Sequence, residues 1–368
     1  MEFIPVSEPN IGKEEKENLA DSIESGWISC WGKYIPLFED KFAIYCGKKY
    51  GVSVSNGTVA LQLALKALNI GNGDEVLCPN LTFVATANAI TYTGAKPVFI
   101  DSEAKTWNMD PKKIEQKITK KTKAIIVVHL YGHVCDMEPI LEIAEKHKIH
   151  IIEDAAEAHG AEYKGKKAGS FGIISCFSFY ANKTITTGEG GMCLTDDKKL
   201  YERMCFLKDH GMSKEKRYWH PEIGFNFRMT NMQAAIGFAQ LGKIEEFIET
   251  KRKNAMIYNS LLKEIPGITL PPEEKWAKST YWMYSILVDK KKFGMDRDEL
   301  MKRLKEKNVD SRPFFYPMNV LPPYKTKEKF PVSESVAEKG INLPSSTKLT
   351  ENQVRYICNS IKLIHKNI

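Results

Sequence analysis

The chain has 368 residues, of which 43% are hydrophobic and 27% are charged, and its formal net charge at pH 7 is +7. This composition is typical of a globular protein with room for two domains, and it argues against a disordered chain. No apolar run reaches the roughly 20 residues of a membrane-spanning helix, and the first ten residues lack a signal-peptide pattern, so we expect a cytoplasmic protein without membrane contact.

The charged residues and the cysteines argue against two further classes of function. Lysine and arginine are spread along the chain with acidic residues between them, as in Lys290–Lys307, which is typical of a solvated surface and not of a nucleic-acid-binding stripe. The eight cysteines are scattered without a CxxC pair. We therefore expect no nucleic-acid partner, no disulfide framework and no metal site.

Short apolar segments alternate with amphipathic stretches through the first two-thirds of the chain. Strands are predicted at Gly51–Val54, Glu75–Cys78, Pro97–Ile100, Ala124–His129, Ile149–Glu153, Cys176–Phe179 and Met192–Leu194, and helices at Thr58–Asn69 and Met137–Lys148. This alternation predicts an α/β fold in which a mainly parallel sheet is covered by helices on both faces. Ligands bind such sheets outside the carboxyl ends of the strands.

The pattern changes near residue 241. The later elements are predicted to be a helix at Leu241–Lys263, a strand at Tyr281–Val288, and helices at Arg297–Lys307 and Glu351–His365. We therefore predict a large domain over residues 1–240 and a smaller C-terminal α+β domain over residues 241–368.

Three local patterns follow predicted strands and carry possible chemistry. The segment Ser55–Thr58 opens a helix, where free amides attract phosphate and Gly57 permits a close approach of the ligand. Asp154 ends a buried strand, and an aspartate there can hold a protonated pyridine nitrogen. Each pattern has a common alternative, since Asn56 could simply cap the helix and Asp154 could cap the next turn.

The third pattern is Ser178-x4-Lys183, followed by the glycine-rich turn Gly188–Gly191. A lysine that follows a buried strand suits an amine whose pKa must fall before it forms a Schiff base. A single lysine usually lies on the surface. The order of a phosphate turn, an aspartate, a lysine and a glycine turn in one sheet favours a cofactor site.

The chain resembles the DegT-type nucleotide-sugar aminotransferases of pyridoxal-phosphate fold type I nearly end to end. The resemblance rests on the blocks SNGTVALQLAL, PNLTFVATANAI, IIEDAAEAHG, FSFYANKTITTGEGG and GFNFRMTNMQAAIG. It implies a sheet of the seven-stranded type and pyridoxal 5'-phosphate as cofactor, with pyridoxamine 5'-phosphate as its intermediate form. The blocks YWHPEIGFNFRMTN, SRPFFYP and GINLPS are most similar to members that aminate C4 of GDP-4-keto-6-deoxy-D-mannose with L-glutamate, for surface polysaccharides such as lipopolysaccharide O-antigen.

The resemblance also implies roles for individual residues. Lys183 would form the Schiff base and move the proton, and Asp154 would pair with the pyridine nitrogen. The other cofactor-binding residues would be Gly57, Thr58 and Ser178 at the phosphate, Phe83 on the ring, Glu157 near the ring hydroxyl, and Asn226, which would reach the phosphate from a neighbouring subunit. The last role implies a homodimer with shared active sites.

The candidates for the substrate site are Trp27, His220, Arg312 and Tyr316, with His159 as a supporting residue. Packing remains the alternative for the aromatic candidates and for Phe83, and a structural salt bridge remains the alternative for Arg312.

Three other functions compete with this interpretation. An aminotransferase of the same family for a UDP- or dTDP-linked keto sugar would have the same catalytic core. A sugar 3-dehydratase is disfavoured, because the dehydratases that resemble this family have histidine where Lys183 stands. A regulatory DNA-binding protein is disfavoured by the absence of a helix-turn-helix pattern.

Overall fold

Strands and α-helices alternate along residues 2–367, which are the residues that this computed structural model describes. The strands are β1 (Tyr50–Val54), β2 (Glu75–Pro79), β3 (Lys96–Ile100), β4 (Thr122–Val128), β5 (His150–Asp154), β6 (Glu162–Tyr163), β7 (Lys166–Lys167), β8 (Ile174–Ser178), β9 (Gly191–Thr195), β10 (Ile268–Thr269), β11 (Ala277–Lys278), β12 (Tyr284–Val288), β13 (Arg312–Pro313) and β14 (Gly340–Leu343). The helices are α1 (Lys13–Glu24), α2 (Tyr34–Tyr45), α3 (Gly57–Ala67), α4 (Ala85–Tyr92), α5 (Met137–His147), α6 (Lys198–Lys208), α7 (Asn231–Gly242), α8 (Ile244–Leu262), α9 (Lys290–Phe293), α10 (Arg297–Glu306), α11 (Pro331–Lys339) and α12 (Glu351–Lys366). Within the described residues, none of the helices is long and apolar enough to cross a membrane.

Seven strands form the central sheet, in the order β1-β9-β8-β5-β4-β2-β3. The pairs from β8 to β3 are parallel, and only β9 runs antiparallel to its neighbours β1 and β8. The predicted α/β fold with a mainly parallel seven-stranded sheet is therefore confirmed.

Both faces of this sheet are buried, because successive side chains of a strand point to opposite faces. In β4, Val127 packs into a core with α2, α5 and α7, whereas Ile126 and Val128 pack into a second core with α3, α4 and α6. Phe42 of α2 contacts the ring of Phe177 at 4.8 Å between centroids. Each fully buried aromatic side chain of this kind contributes about 1.5–3 kcal/mol to folding.

The C-terminal part builds a smaller antiparallel sheet in the order β10-β12-β14-β13, which packs against α8, α10 and α12. Ile4 joins this second unit, since it is buried in the same core and its amide donates to the carbonyl of Asn308 at 2.8 Å. Helix α8 contributes residues to the cores of both parts. The proposed boundary between residues 1–240 and 241–368 stays a prediction.

Two elements of the C-terminal part begin three residues later than predicted. The predicted helix Leu241–Lys263 begins at Ile244, because α7 ends at Gly242 and Lys243 separates the two helices. The predicted strand Tyr281–Val288 begins at Tyr284. Residues 279–283 instead turn over the large sheet, where the amide of Thr280 donates to the carbonyl of Gly132 at 3.1 Å and Tyr281 has φ +47°.

Candidate active site

A cavity of about 550 Å³ opens at the carboxyl ends of the parallel strands β4, β5 and β8. Its lining brings together residues that are far apart in the sequence: Gly57, Thr58, Phe83, Asp154, Glu157, Ser178 and Lys183. These seven are the predicted cofactor-binding residues other than Asn226. The structure places them around one space, and their individual roles stay predictions.

Asp154 is the last residue of β5, and its carboxylate is 6% exposed. One oxygen accepts a hydrogen bond from Thr86 Oγ1 at 2.9 Å, and the other accepts one from the amide of Ala156 at 3.3 Å. Burial raises the pKa of Asp154, whereas Thr86, the Ala156 amide and the nearby Lys183 amine act in the opposite direction. A cation in the cavity would stabilise this carboxylate in its charged form.

Lys183 and Glu157 form a buried ion pair in the lining of the same cavity. Lys183 Nζ lies 4.0 Å from Glu157 Oε1, and the other carboxylate oxygen accepts from the amide of Tyr131 at 2.9 Å. Burial lowers the pKa of Lys183 and raises the pKa of Glu157, and the attraction between the two groups opposes both changes. The lysine is therefore closer to its neutral, nucleophilic form than a lysine on the surface.

The N-terminus of α3 forms one end of the cavity. Asn56 caps the helix by accepting from the amide of Val59 at 3.0 Å, as the alternative interpretation of this segment expected. The cap leaves Gly57 and Thr58 on the cavity wall. A Cβ atom on Gly57 would lie 2.7 Å from Ser178 Cβ, so only glycine permits the close approach of α3 to the end of β8. The result is a small polar cradle at a helix N-terminus, which suits a phosphate group.

Glu153 and Asp154 are neighbours in the sequence, but they have separate environments. Glu153 lies on the other side of the sheet, fully buried, and supports the loop between residues 168 and 173. Its carboxylate accepts from the amides of Gly169, Phe171 and Gly172, each at 2.7 Å, from Ser175 Oγ at 2.8 Å and from His129 Nε2 at 3.1 Å. This glutamate therefore holds the edge of the sheet from which Asp154 faces the cavity.

Aromatic residues that the sequence interpretation missed complete the wall. Trp282 and Phe315 come from the C-terminal part of the chain and line the cavity beside Phe83, which is 54% exposed. Phe315 packs against Phe83 at 5.5 Å between ring centroids. Phe315 belongs to the block SRPFFYP, which could have identified it, whereas Trp282 lies in none of the quoted blocks and reaches the site only through tertiary folding. Thr86 was also missed, although it belongs to the block PNLTFVATANAI.

A second cavity of about 850 Å³ adjoins the first and shares Thr82, Phe83, Tyr180, Asn182, Trp282 and Phe315 with it. Arg312 and Tyr316, two predicted substrate residues, line this second space. Arg312 is the one lysine or arginine among the described residues of its lining. It forms an ion pair with Asp310, the contact expected from the salt-bridge alternative, and its side chain remains 59% exposed.

Three predicted residues lie outside both cavities of their own chain. Asn226 is exposed and accepts from Arg228 Nε at 3.1 Å. Trp27 is 59% exposed in a separate hollow beside Trp31, and His220 is exposed with its Nδ1 2.9 Å from the carbonyl oxygen of His210. The structure does not bring these three residues to the cavity of Lys183 in their own chain, and their roles stay predictions.

His159 is fully buried among the rings of Phe42, Phe177 and Phe179 and does not line the cavity. Burial lowers its pKa to about 3, with a further contribution from the Lys183 charge. The ring is therefore neutral at physiological pH, and it packs behind the lysine as part of the core.

The whole chain is similar to known proteins in both sequence and structure. Residues 9–362 match the DegT/DnrJ/EryC1/StrS aminotransferase family. The chain is 50% identical to the GDP-perosamine synthase of Escherichia coli O157:H7 over 362 residues, which cover 98% of each chain. It is 45% identical to the GDP-perosamine synthase of Vibrio cholerae, again over 98% of each chain. Among solved structures, the PLP-form of the putative sugar aminotransferase Spr1654 from Streptococcus pneumoniae superposes with a TM-score of 0.93 at 29% identity and covers 99% of each chain.

Proposed function

The chain belongs to the DegT/DnrJ/EryC1/StrS aminotransferase family, and we propose that it transfers the amino group of L-glutamate to C4 of GDP-4-keto-6-deoxy-D-mannose, yielding GDP-perosamine and 2-oxoglutarate. The observation that carries the proposal is one cavity in which Lys183, Asp154 and the N-terminus of α3 converge. The choice of acceptor is supported by the two GDP-perosamine synthases, which are 50% and 45% identical over 98% of this chain.

The donor set of the cavity fits pyridoxal phosphate. Asp154 would hold the pyridine nitrogen, and the hydrogen bonds to its buried carboxylate come from two neutral donors, Thr86 Oγ1 and the amide of Ala156. Gly57, Thr58 and Ser178 would hold the phosphate, and Phe83 would lie against the ring. When bound, the cofactor supplies a carbonyl that accepts an amine and a ring that delocalises negative charge.

In this proposal the chain's own residues hold the cofactor, move the proton and limit the access of water. Lys183 is buried, which favours the neutral amine that can bond to the cofactor and later accept a proton. Glu157, with its raised pKa, faces the same amine and keeps it within reach. Asp154 would stabilise positive charge on the ring nitrogen of the bound cofactor. Trp282 and Phe315 cover the cavity and limit the access of water.

Arg312 is the proposed anchor for the anionic part of the substrate. Its guanidinium can bind a diphosphate or carboxylate through two hydrogen bonds, and it lines the cavity that adjoins the lysine site. Tyr316 lies in the same lining, where it would contact the sugar or the base. Loss of the anchor should raise KM for the nucleotide sugar more than it lowers kcat, because the charge contacts a part of the substrate that does not react.

Mass spectrometry tests the acceptor. Purified protein with pyridoxal phosphate, L-glutamate and GDP-4-keto-6-deoxy-D-mannose should yield a product one mass unit heavier than the acceptor, together with an equal amount of 2-oxoglutarate. UDP- and dTDP-linked keto sugars serve as parallel acceptors, and Lys183→Ala as the control that should not turn over repeatedly. Release of 2-oxoglutarate with an untouched GDP sugar would retain the aminotransferase and overturn the proposed acceptor.

We further propose a homodimer in which Asn226 completes the phosphate site of the partner subunit. The proposal is supported by the exposure of Asn226, which lies outside the cavity of its own chain. Mixing Lys183→Ala with Asn226→Ala subunits tests it. In a random mixture half of the dimers are heterodimers, and one of their two sites has both residues intact, so about a quarter of the wild-type activity should return. If the mixture is no more active than the two variants alone, Asn226 belongs to its own subunit's site, and if Asn226→Ala alone keeps wild-type activity, the residue lies outside any site. A cytoplasmic location also stays a prediction.

A further inference from the structure

The amine of Lys183 contacts an aromatic face as well as a carboxylate. Its Nζ lies 3.7 Å from the ring centroid of Trp282 and 4.0 Å from Glu157 Oε1. A cation within about 6 Å of an indole face is attracted by the electron density of the ring. The indole is 4% exposed, so little water competes for this contact.

Trp282 is held in place from three directions. Its Nε1 donates to the carbonyl of Asn182, the residue before Lys183, at 2.8 Å, so the ring and the lysine are tied to the same stretch of backbone. Its own carbonyl accepts from Lys251 Nζ of α8 at 3.2 Å. Tyr131 stacks on the indole at 6.3 Å between centroids.

The backbone on both sides of the ring is also constrained. Gly132 approaches the amide of Trp282 so closely that a Cβ atom would lie 2.7 Å from it, and Tyr281 adopts a positive φ of +47°. A positive φ in a residue with a bulky side chain persists only where surrounding contacts enforce it. The fold therefore places the indole at one fixed position relative to the lysine.

We propose that Trp282 is a positioning residue whose indole face holds the ammonium of Lys183 whenever that amine is released from the cofactor. This inference rests on the proposed function, in which Lys183 alternates between a bond to the cofactor and a free amine. Without a fixed binding position, a four-carbon side chain would sample several rotamers during the period when it must move a proton. The indole and Glu157 together restrict the free amine to one region of the cavity.

The contact has a measurable electrostatic consequence. The indole face stabilises the charged form of Lys183, so it opposes burial, which lowers the pKa of this amine. A Trp282 ring with the same shape but less electron density on its face should therefore lower the pKa of Lys183 further. A partly desolvated contact of this kind corresponds to a shift of about half to one pH unit.

A fluorinated indole provides the test, because fluorine removes electron density from the ring face while the ring keeps its shape and burial. The full-length protein would carry 5,6,7-trifluorotryptophan at position 282 and be loaded with pyridoxamine phosphate, which leaves the Lys183 amine free. Brief acetylation with acetic anhydride from pH 5 to 10, followed by peptide mass spectrometry, gives the titration midpoint of Lys183. The matched control carries the same residue at position 276, because Trp276 contacts His133 and Tyr163 and does not line the cavity.

We expect the midpoint to fall by about half to one unit with the fluorinated ring at position 282 and to stay unchanged with the ring at position 276. An unchanged midpoint at position 282, or an equal fall at both positions, would overturn the role of Trp282. Borohydride reduction of the unsubstituted protein loaded with pyridoxal phosphate tests the underlying function separately. If the cofactor is not trapped on the Lys183 peptide, the proposed function fails, whatever the effect of the fluorinated ring.

Discussion

Replacing Glu153 with glutamine tests whether this buried carboxylate organises the edge of the sheet. Each oxygen of Glu153 accepts at least two hydrogen bonds, from Gly169 and His129 on one side and from two amides and Ser175 on the other. In glutamine one oxygen becomes an NH2 group, so at least two donors face a donor whichever way the amide turns. A hydrogen bond to a charged group contributes about 1.5–3 kcal/mol, so we expect Glu153→Gln to cost about 3–6 kcal/mol.

Urea unfolding at fixed protein concentration, followed by fluorescence, measures this loss. If the free energy of unfolding decreases by about 3 kcal/mol per molar urea, the urea concentration at the midpoint of unfolding should fall by roughly 1–2 M in Glu153→Gln. The matched control is Glu145→Gln on the exposed face of α5, which should change the free energy of unfolding by less than about 0.5 kcal/mol. Equal midpoints for the two variants would refute the assigned role of Glu153.

The pH dependence provides a second check on the same residue. Burial acts to raise the pKa of Glu153, but the hydrogen bond and charge of His129 and the loop amides outweigh it and hold the pKa below its usual value. A carboxylate with a lowered folded-state pKa stabilises the protein above the unfolded-state pKa of about 4.3 and loses this contribution as the pH falls. The difference between wild type and Glu153→Gln should therefore shrink below about pH 4.

Three further changes probe the site and its support. Gly57→Ala places a Cβ atom 2.7 Å from Ser178 Cβ, so it should lower the free energy of unfolding by about 1–3 kcal/mol and weaken the binding of pyridoxal phosphate in a fluorescence titration. Gly242→Ala, whose added Cβ atom has nothing within 4 Å, should have neither effect. Equal cofactor affinities in the two variants would contradict a phosphate cradle at Gly57. Asp154→Asn should slow the glutamate half-reaction by at least about 100-fold in stopped-flow absorbance without lowering Tm, and an unchanged rate would remove Asp154 from the ring site. Burial lowers the pKa of Lys251 to about 7, so the folded protein disfavours the charged form of this lysine, whereas the unfolded chain does not. As the pH falls from about 10 to 7, wild type should therefore lose stability relative to Lys251→Met by up to about 1.4 kcal/mol per pH unit. A difference between these two proteins that does not vary with pH in urea unfolding would show that Lys251 stays charged when folded.

The predictions that the sequence supported best concern features encoded by residues close together in the chain. Apolar strands, the helix that opens at Gly57 and the residues that follow each strand are encoded within a few positions, so the parallel sheet and its carboxyl edge were predictable. Asp154 and Ser178 each end a buried strand and Lys183 follows one, and the carboxyl ends of parallel strands meet at one edge. Their convergence around one cavity follows from that geometry.

Other features depended on contacts between distant parts of the chain. The partners of the two neighbouring carboxylates, the loop amides around Glu153 and the hydroxyl of Thr86 at Asp154, were not among the predictions. Trp282 and Phe315 reach the lysine only because the C-terminal part folds over the large sheet, about 100 residues or more from Lys183 along the chain. The sequence by itself determined the parallel sheet and its carboxyl edge and identified Lys183 as the candidate lysine, since the strands and the residues at their ends are encoded by short-range patterns. Only the tertiary structure decided that Trp282 and Phe315 join Phe83 in the cavity wall and which charges surround Lys183, because these contacts arise from packing between distant parts of the chain.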